Sequence, residues 1–199
     1  MTDSAAQKPA LEKPAPGELT KAVNSNDVKA VRELLGQSAD PNEVVDGRPV
    51  LNLAALLGHV EIVRLLLDHD AEVDKKTAIG ITPLMTAASA GRMEIVRMLL
   101  DENAAIEATS KAGWTALMYS VVGKDIEVMR FLIDKGANVS IRGKKGETAE
   151  SIAKSRNRAD MAQLLGESYA RQSYAIAARN QNILKNRAPT AAIRRRFEP

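Results

Sequence analysis

The chain has no cysteine. Disulfide frameworks and thiolate metal sites are therefore excluded, and a reducing compartment is the simplest setting. Aromatic residues are scarce, with one Trp, three Tyr and two Phe. A core so poor in rings is built from Leu, Ile, Val, Met and Ala, which suits packed helices better than a β-sandwich. Histidine is limited to His59 and His69, and neither stands in an H-E-x-x-H context, so no metal site is expected. No run approaches the ~18 apolar residues that read as a membrane span. The segment Met1 to Lys8 has no apolar stretch of the kind a secretory signal needs. Together these absences lead to the expectation of a soluble, cytoplasmic protein.

Phosphate-cradling motifs are missing as well. There is no G-x-x-x-x-G-K-[ST] and no G-x-G-x-x-G. Gly143-Lys144-Lys145-Gly146 has the outline of a nucleic-acid-clamping G-x-x-G loop, and Asp68-His69-Asp70 has the outline of a catalytic cluster. Both have blander explanations in the repeat described next. No catalytic, cofactor-binding or metal-ligating residue is expected, and no small-molecule substrate.

Charge is unevenly spread. The whole chain carries +3, whereas residues 167–199 hold seven basic and two acidic side chains, a surplus of five. The remainder is therefore at −2, which argues against a body that grips nucleic acid along its length.

What the sequence does contain is a repeat. Gly47, Gly80, Gly113 and Gly146 are each 33 residues apart, and Ala54, Ala87, Ser120 and Ala153 keep the same step. So do Leu51, Leu84 and Leu117, and later in each unit Leu66, Leu99, Leu132 and Leu165. Such a period is the signature of a stacked solenoid. Within residues 80–104, Gly80 suits a positive-φ turn, Thr82 an N-cap, and Pro83 the first helical position. Leu84, Ala87 and Ala88 form one face of a first helix, which Gly91 ends. Ile95, Val96, Leu99 and Leu100 are the stripe of a half-buried second helix. Asn103 closes that helix, with Asp70 and Gly136 as its counterparts, and Asp70 is the poorest fit to a left-handed conformation. One such hairpin cannot cover its own apolar face. Stacked hairpins can, because each buried Leu, Ile or Val contributes roughly 1.5–3 kcal/mol.

Gly80–Leu84, Ala54-Ala55-Leu56-Leu57-Gly58-His59 and Leu65–Ala71 resemble the ankyrin repeat family, over about residues 18–166. The resemblance implies an all-α ankyrin-repeat solenoid of helix pairs with projecting hairpin loops, which binds proteins through those loops and the inner helices. About five units are expected, at about 18–42, 43–76, 77–109, 110–142 and 143–166, the first and last being degenerate caps. Departures are evident. The first unit has no hairpin glycine, Pro49-Val50 replaces Thr-Pro, Lys124 takes the inter-helix glycine's place in unit four, and Glu150 and Asn157 replace Leu and Gly in the last unit.

The expected function is a non-catalytic protein–protein interaction module: an adaptor, inhibitor or assembly subunit. By the repeat alignment its partner-binding residues are Arg48, Leu56, Ile79, Ile81, Lys111, Trp114, Tyr119, Val122, Lys144 and Lys145. Leu56, Leu57, Ile79, Ile81, Trp114 and Val122 are expected to form an apolar strip on the concave side of units two to four, with Met85, Met118 and Tyr119 nearby and the charges of Arg142, Lys144, Lys145 and Arg156 flanking it. Ile81 and Trp114 are expected at exposed tips, whereas Leu57 and Met85 are better read as packing between loops.

Residues 1–17, with Pro9, Pro14 and Pro16, read as a flexible leader. Residues 167–199 form a basic tail, helical to about Lys185, with Leu165, Tyr169, Ile176 and Ile183 on a narrow apolar seam. Pro189 and then Arg194-Arg195-Arg196-Phe197 follow. Three readings of the tail are open: an extra cap on the last repeat, an arm for an acidic protein, membrane or nucleic-acid surface, or a solvated end. Binding of an anionic surface through this tail, with the repeats as scaffold, is the alternative function.

Overall fold

The computed structural model describes residues 14–123 and 125–187, with the backbone alone for 184–187. Helices occur in pairs, one pair per unit: α1 (Glu18–Asn24) with α2 (Val28–Gly36), α3 (Val50–Leu57) with α4 (Val60–Asp68), and α5 (Pro83–Ser89) with α6 (Met93–Asp101). They continue with α7 (Ala116–Gly123) and α8 (Ile126–Asp134), then α9 (Ala149–Ser155) and α10 (Ala159–Arg187). The first helices stack in the order α1, α3, α5, α7, α9, and α2, α4, α6 and α8 form a second layer beside them. Between α2 and α3 the strands β1 (Val44–Val45) and β2 (Arg48–Pro49) pair antiparallel.

The local reasons match the repeat grammar. Thr82 Oγ1 accepts from Met85 N at 3.2 Å, and Pro83 occupies the first turn of α5. Asp27 caps α2 and Asp125 caps α8 in the same way. The columns Leu51, Leu84, Leu117 and Leu66, Leu99, Leu132, Leu165 are all buried in one continuous core. Asp70, Asn103 and Gly136 adopt φ of 64°, 61° and 93°, so the poor-fitting aspartate takes the same left-handed turn. Asn157, which stands where a glycine was expected, does likewise at φ 55°. Lys124, the other departure from that column, lies outside the described residues.

The hairpin glycines carry a second constraint besides positive φ. A Cβ on Gly113 would stand 2.9 Å from the backbone nitrogen of Lys144 in the next hairpin. The hairpins approach this closely because they are hydrogen-bonded in series. Ala78 N donates to Gly47 O, Lys111 N to Ile79 O, and Lys144 N to Ala112 O. Earlier in the same loops, side chains also tie successive units: Glu72 N donates to Asn42 Oδ1, Ala105 N to Asp74, and Asn138 N to Glu107.

Both ends differ in detail from the sequence expectation. Gly17, assigned to the leader, is the left-handed residue at the start of α1 (φ 88°). Its N–H donates to the Glu43 carboxylate, as do Thr20 N at 3.1 Å and Thr20 Oγ1 at 2.7 Å. A side chain of unit two thus caps the first helix of unit one. Residues 1–13 lie outside the described residues. At the other end α10 runs unbroken through residues 166 and 167, where the repeats were expected to give way to the tail. Met161, Ala162, Leu165 and Ser168 are buried, and Gln172 bonds to the unit-four loop through Ala137 O (2.9 Å) and Val139 N (3.2 Å). Pro189 and Arg194 to Phe197 lie outside the described residues.

Candidate functional site

The hairpins of units two and three and the first helices α3, α5 and α7 enclose a groove of about 390 Å3. Arg48 and Asp46 flank it on the β1–β2 hairpin, and Leu56 enters from α3. Ile79 and Ile81 come from the next hairpin, Thr86 and Ser89 from α5, and Tyr119 from α7. Five of the ten residues singled out in the sequence therefore meet at one place. They do so because the 33-residue step and the hairpin hydrogen bonds bring equivalent positions into register.

The polar floor of the groove was not anticipated. Asn52 is 1% exposed and donates through Nδ2 to Ile81 O at 3.0 Å and to Thr86 Oγ1 at 3.4 Å. It ties α3 to the hairpin and helix of the following unit, which holds Ile81 in place. Its column reads Asn52, Met85, Met118, Ser151, so a polar residue in the same column as two buried methionines was the available signal.

A second depression, of about 460 Å3, lies beside the hairpin of unit five and is lined by Trp114, Lys145, Glu147, Ile152 and Arg156 among others. Trp114 Nε1 donates to Glu147 Oε1 at 2.9 Å, joining two hairpins. The Trp114 and Tyr119 rings meet edge to face at 5.6 Å, which is a favoured aromatic geometry. Tyr119 lines the first depression and Trp114 the second, so this ring pair forms the partition between them. Gly143 makes room for the arrangement: a Cβ there would be 2.9 Å from Trp114 Cδ1 and 3.0 Å from Glu147 Cδ. The Glu147 carboxyl is held below the usual glutamate range. Its own backbone N–H is the main cause and the Trp114 indole the second. Lys145 adds to both, and partial desolvation opposes them.

Several placements correct the sequence reading. Ile81 and Trp114 are half-buried and packed against the core, not exposed tips. The Ile81 side chain packs against the core while its main-chain carbonyl is held by Asn52, and the Trp114 indole is drawn inward by the Glu147 carboxylate. The exposed tips are Ile79, at 62% exposure, and the lysines Lys111, Lys144 and Lys145. Met85 and Met118 are fully buried core residues, so they supply no adaptable surface strip, although Met85 forms part of the groove's base. Val122 is half-buried on α7 and lines neither depression. Leu57, expected to pack between loops, is exposed together with Leu56. Among the described residues, no three His, Cys, Asp or Glu side chains are grouped as a metal site would require. Nor is any helix among them long and apolar enough to cross a membrane.

Comparison with known proteins accounts for this architecture. A family profile described as "Ankyrin repeats (3 copies)" matches residues 19–110 and 103–175. Serine/threonine-protein kinase 12 of Arabidopsis thaliana is 40% identical over 65 residues, which is 32% of this chain and 14% of the kinase. Alpha-latroinsectotoxin-Lt1a of Latrodectus tredecimguttatus is 39% identical over 70 residues, 35% of this chain and 5% of the toxin. The 2-5A-dependent ribonuclease of Mus musculus is 41% identical over 71 residues, 35% of this chain and 10% of the ribonuclease. The chain thus spans a small part of these multi-domain relatives, and the likeness lies in their repeat regions. Ankyrin repeats are protein–protein interaction modules, and it is as such a module, an all-α solenoid of stacked helix pairs, that this chain belongs to the ankyrin repeat family.

Proposed function

We propose that the protein is a non-catalytic recognition module that holds a protein partner against the groove between units two and three. The observation that carries this reading is the meeting of Leu56, Ile79, Ile81 and Tyr119 over about 390 Å3, with Arg48 and Asp46 at the mouth. A groove of this size takes one or two apolar side chains of a partner. The flanking charges and the Thr86 and Ser89 hydroxyls supply hydrogen-bonding groups around them. Hairpins already hydrogen-bonded to one another lose little freedom on binding, which favours affinity from a modest contact area. The Trp114 and Tyr119 rings extend the surface toward Lys145 and Arg156, where a partner's acidic groups are attracted. Lys111 and Lys144 at the hairpin tips add to that attraction.

The test is a quantitative pull-down from extract of the native source. Wild-type chain is run beside a Leu56→Asp/Ile79→Arg double variant, both positions being exposed and so tolerant of the change. The reading expects a protein retained by wild type and depleted by the variant. With that protein purified, the double change should weaken binding by about tenfold or more. A partner held equally well by the two forms, both shown to be folded, refutes the groove as the binding surface.

A further inference from the structure

Helix α10 outlasts the repeats it caps. Gln172 is its last described residue that is part-buried, and every described side chain from Ser173 to Ile183 is exposed. The helix continues to Arg187, so about 15 residues, or about 22 Å at 1.5 Å per residue, project beyond the body. An isolated helix of that length is marginal in water, and its stability rises when an apolar face is covered.

The free portion has such a face. Tyr169, Ile176 and Ile183 recur at intervals of seven, which places them in almost a single line along the helix. Ile176 is 61% and Ile183 49% exposed. The line begins next to the body, where Tyr169 shares a depression of about 320 Å3 with Val139, Arg142 and Leu165. A partner lying along the line would therefore also reach the solenoid's end.

Charge decides among the possible occupants. From Ser168 to Arg187 the sequence holds Arg171, Arg179, Lys185 and Arg187 and no acidic residue. A second copy would set eight like charges along one short pair of helices, with Arg179 facing the seam. A lipid surface is matched by a broad apolar face, whereas here Gln172, Ser173, Arg179 and Asn180 border a single file of large side chains. A line of apolar side chains at intervals of seven, with Arg179 beside it and no carboxylate from Ser168 to Arg187, is the pattern that enters an apolar groove or helix pair lined with carboxylates.

We propose that the exposed half of α10 is a docking helix for an acidic protein partner, seated through Tyr169, Ile176 and Ile183 with partner carboxylates facing Arg179. This surface is separate from the groove between units two and three, and each stands or falls without the other.

The experiment uses the full chain and three probes. One is a synthetic amphipathic helical peptide of about four heptads with Leu at a and d and Glu at e and g. The second is the same peptide with Lys for Glu. The third is a vesicle of equal parts phosphatidylserine and phosphatidylcholine. Titration calorimetry should detect the acidic peptide and not the basic one. Ile176→Asp should weaken that binding by about tenfold or more while leaving the melting temperature unchanged, because the side chain touches nothing in the body. Arg179→Glu should weaken the acidic peptide and strengthen the basic one, a reversal that a purely structural role does not produce. The proposal is overturned if the acidic peptide does not bind, or if Ile176→Asp leaves its binding unaltered. Vesicle binding stronger than peptide binding and lost in Ile176→Asp overturns it in favour of a membrane. A wild-type dimer that Ile176→Asp converts to monomer overturns it in favour of self-association.

Discussion

Replacing Gly123 with alanine sets two effects of opposite sign against each other. Gly123 is the last residue of α7. On helix propensity alone, alanine there stabilises by up to about 1 kcal/mol. Packing opposes this. An added Cβ would overlap the Ser89 carbonyl oxygen, and it would stand 2.8 Å from that residue's carbonyl carbon and 3.1 Å from Ala88 O. These are backbone atoms of α5 and its end, so no side-chain rotation relieves the overlap. The two first-layer helices must part by on the order of 1 Å, which loosens Leu84, Ala87, Leu117 and Val121 in the core they share. Overpacking of this kind costs about 1–3 kcal/mol and sometimes more. We expect the packing effect to win, with a net loss of about 2 kcal/mol and a fall in melting temperature of roughly 4–8 °C. Gly36→Ala is the internal control. Gly36 also ends a helix, and a Cβ there meets nothing within 4 Å. That change is expected to be neutral or stabilising by up to about 1 kcal/mol. Urea and thermal denaturation of the two variants give the answer directly. A Gly123→Ala variant as stable as wild type, or more so, refutes the claim that close approach of α5 and α7 sets this position.

Two further outcomes follow from single contacts. Glu43→Ala removes the acceptor for Gly17 N, Thr20 N and Thr20 Oγ1, so the start of α1 should fray and stability should fall by about 1–2 kcal/mol. Faster amide exchange at Thr20, with exchange in units three and four unchanged, is the expected reading, and uniform behaviour across the chain would contradict it. The Glu147 carboxyl has a lowered pKa, so its ionised form is favoured in the folded state. Its contribution is present above the ordinary glutamate range and is lost as pH falls through the lowered folded value. Because Trp114 is the sole tryptophan, its fluorescence should titrate below the ordinary glutamate range, and Glu147→Gln should abolish that step. A midpoint at the ordinary value would show that the indole and backbone bonds do not hold the charge.

Periodicity carried the sequence reading furthest. The 33-residue columns Gly47–Gly80–Gly113–Gly146 and Leu66–Leu99–Leu132–Leu165 specify helix pairs, stacking and the buried face, because local turn chemistry and an apolar stripe are both written in the order of residues. Thr82-Pro83 marked the start of α5 for the same reason, since a cap acts within four residues of itself. The convergence of Arg48, Leu56, Ile79 and Tyr119 was legible to the extent that a fixed step implies fixed register.

What only the tertiary structure decided involves side-chain pairings between successive units, 23 to 34 residues apart, which the repeat step brings near but does not choose. Glu43 caps a helix of the preceding unit, Asn52 bonds across to Ile81 and Thr86, and Glu147 turns Trp114 inward from the tip. The close pass of Gly123 over Ser89 and the departure of α10 from the body after Gln172 are likewise consequences of how whole helices pack. The sequence alone determined a stacked helical solenoid and the columns from which a surface is drawn. Which of those side chains stand in water was settled in three dimensions, where a neighbouring unit either offers a hydrogen-bonding or packing partner or leaves the position open.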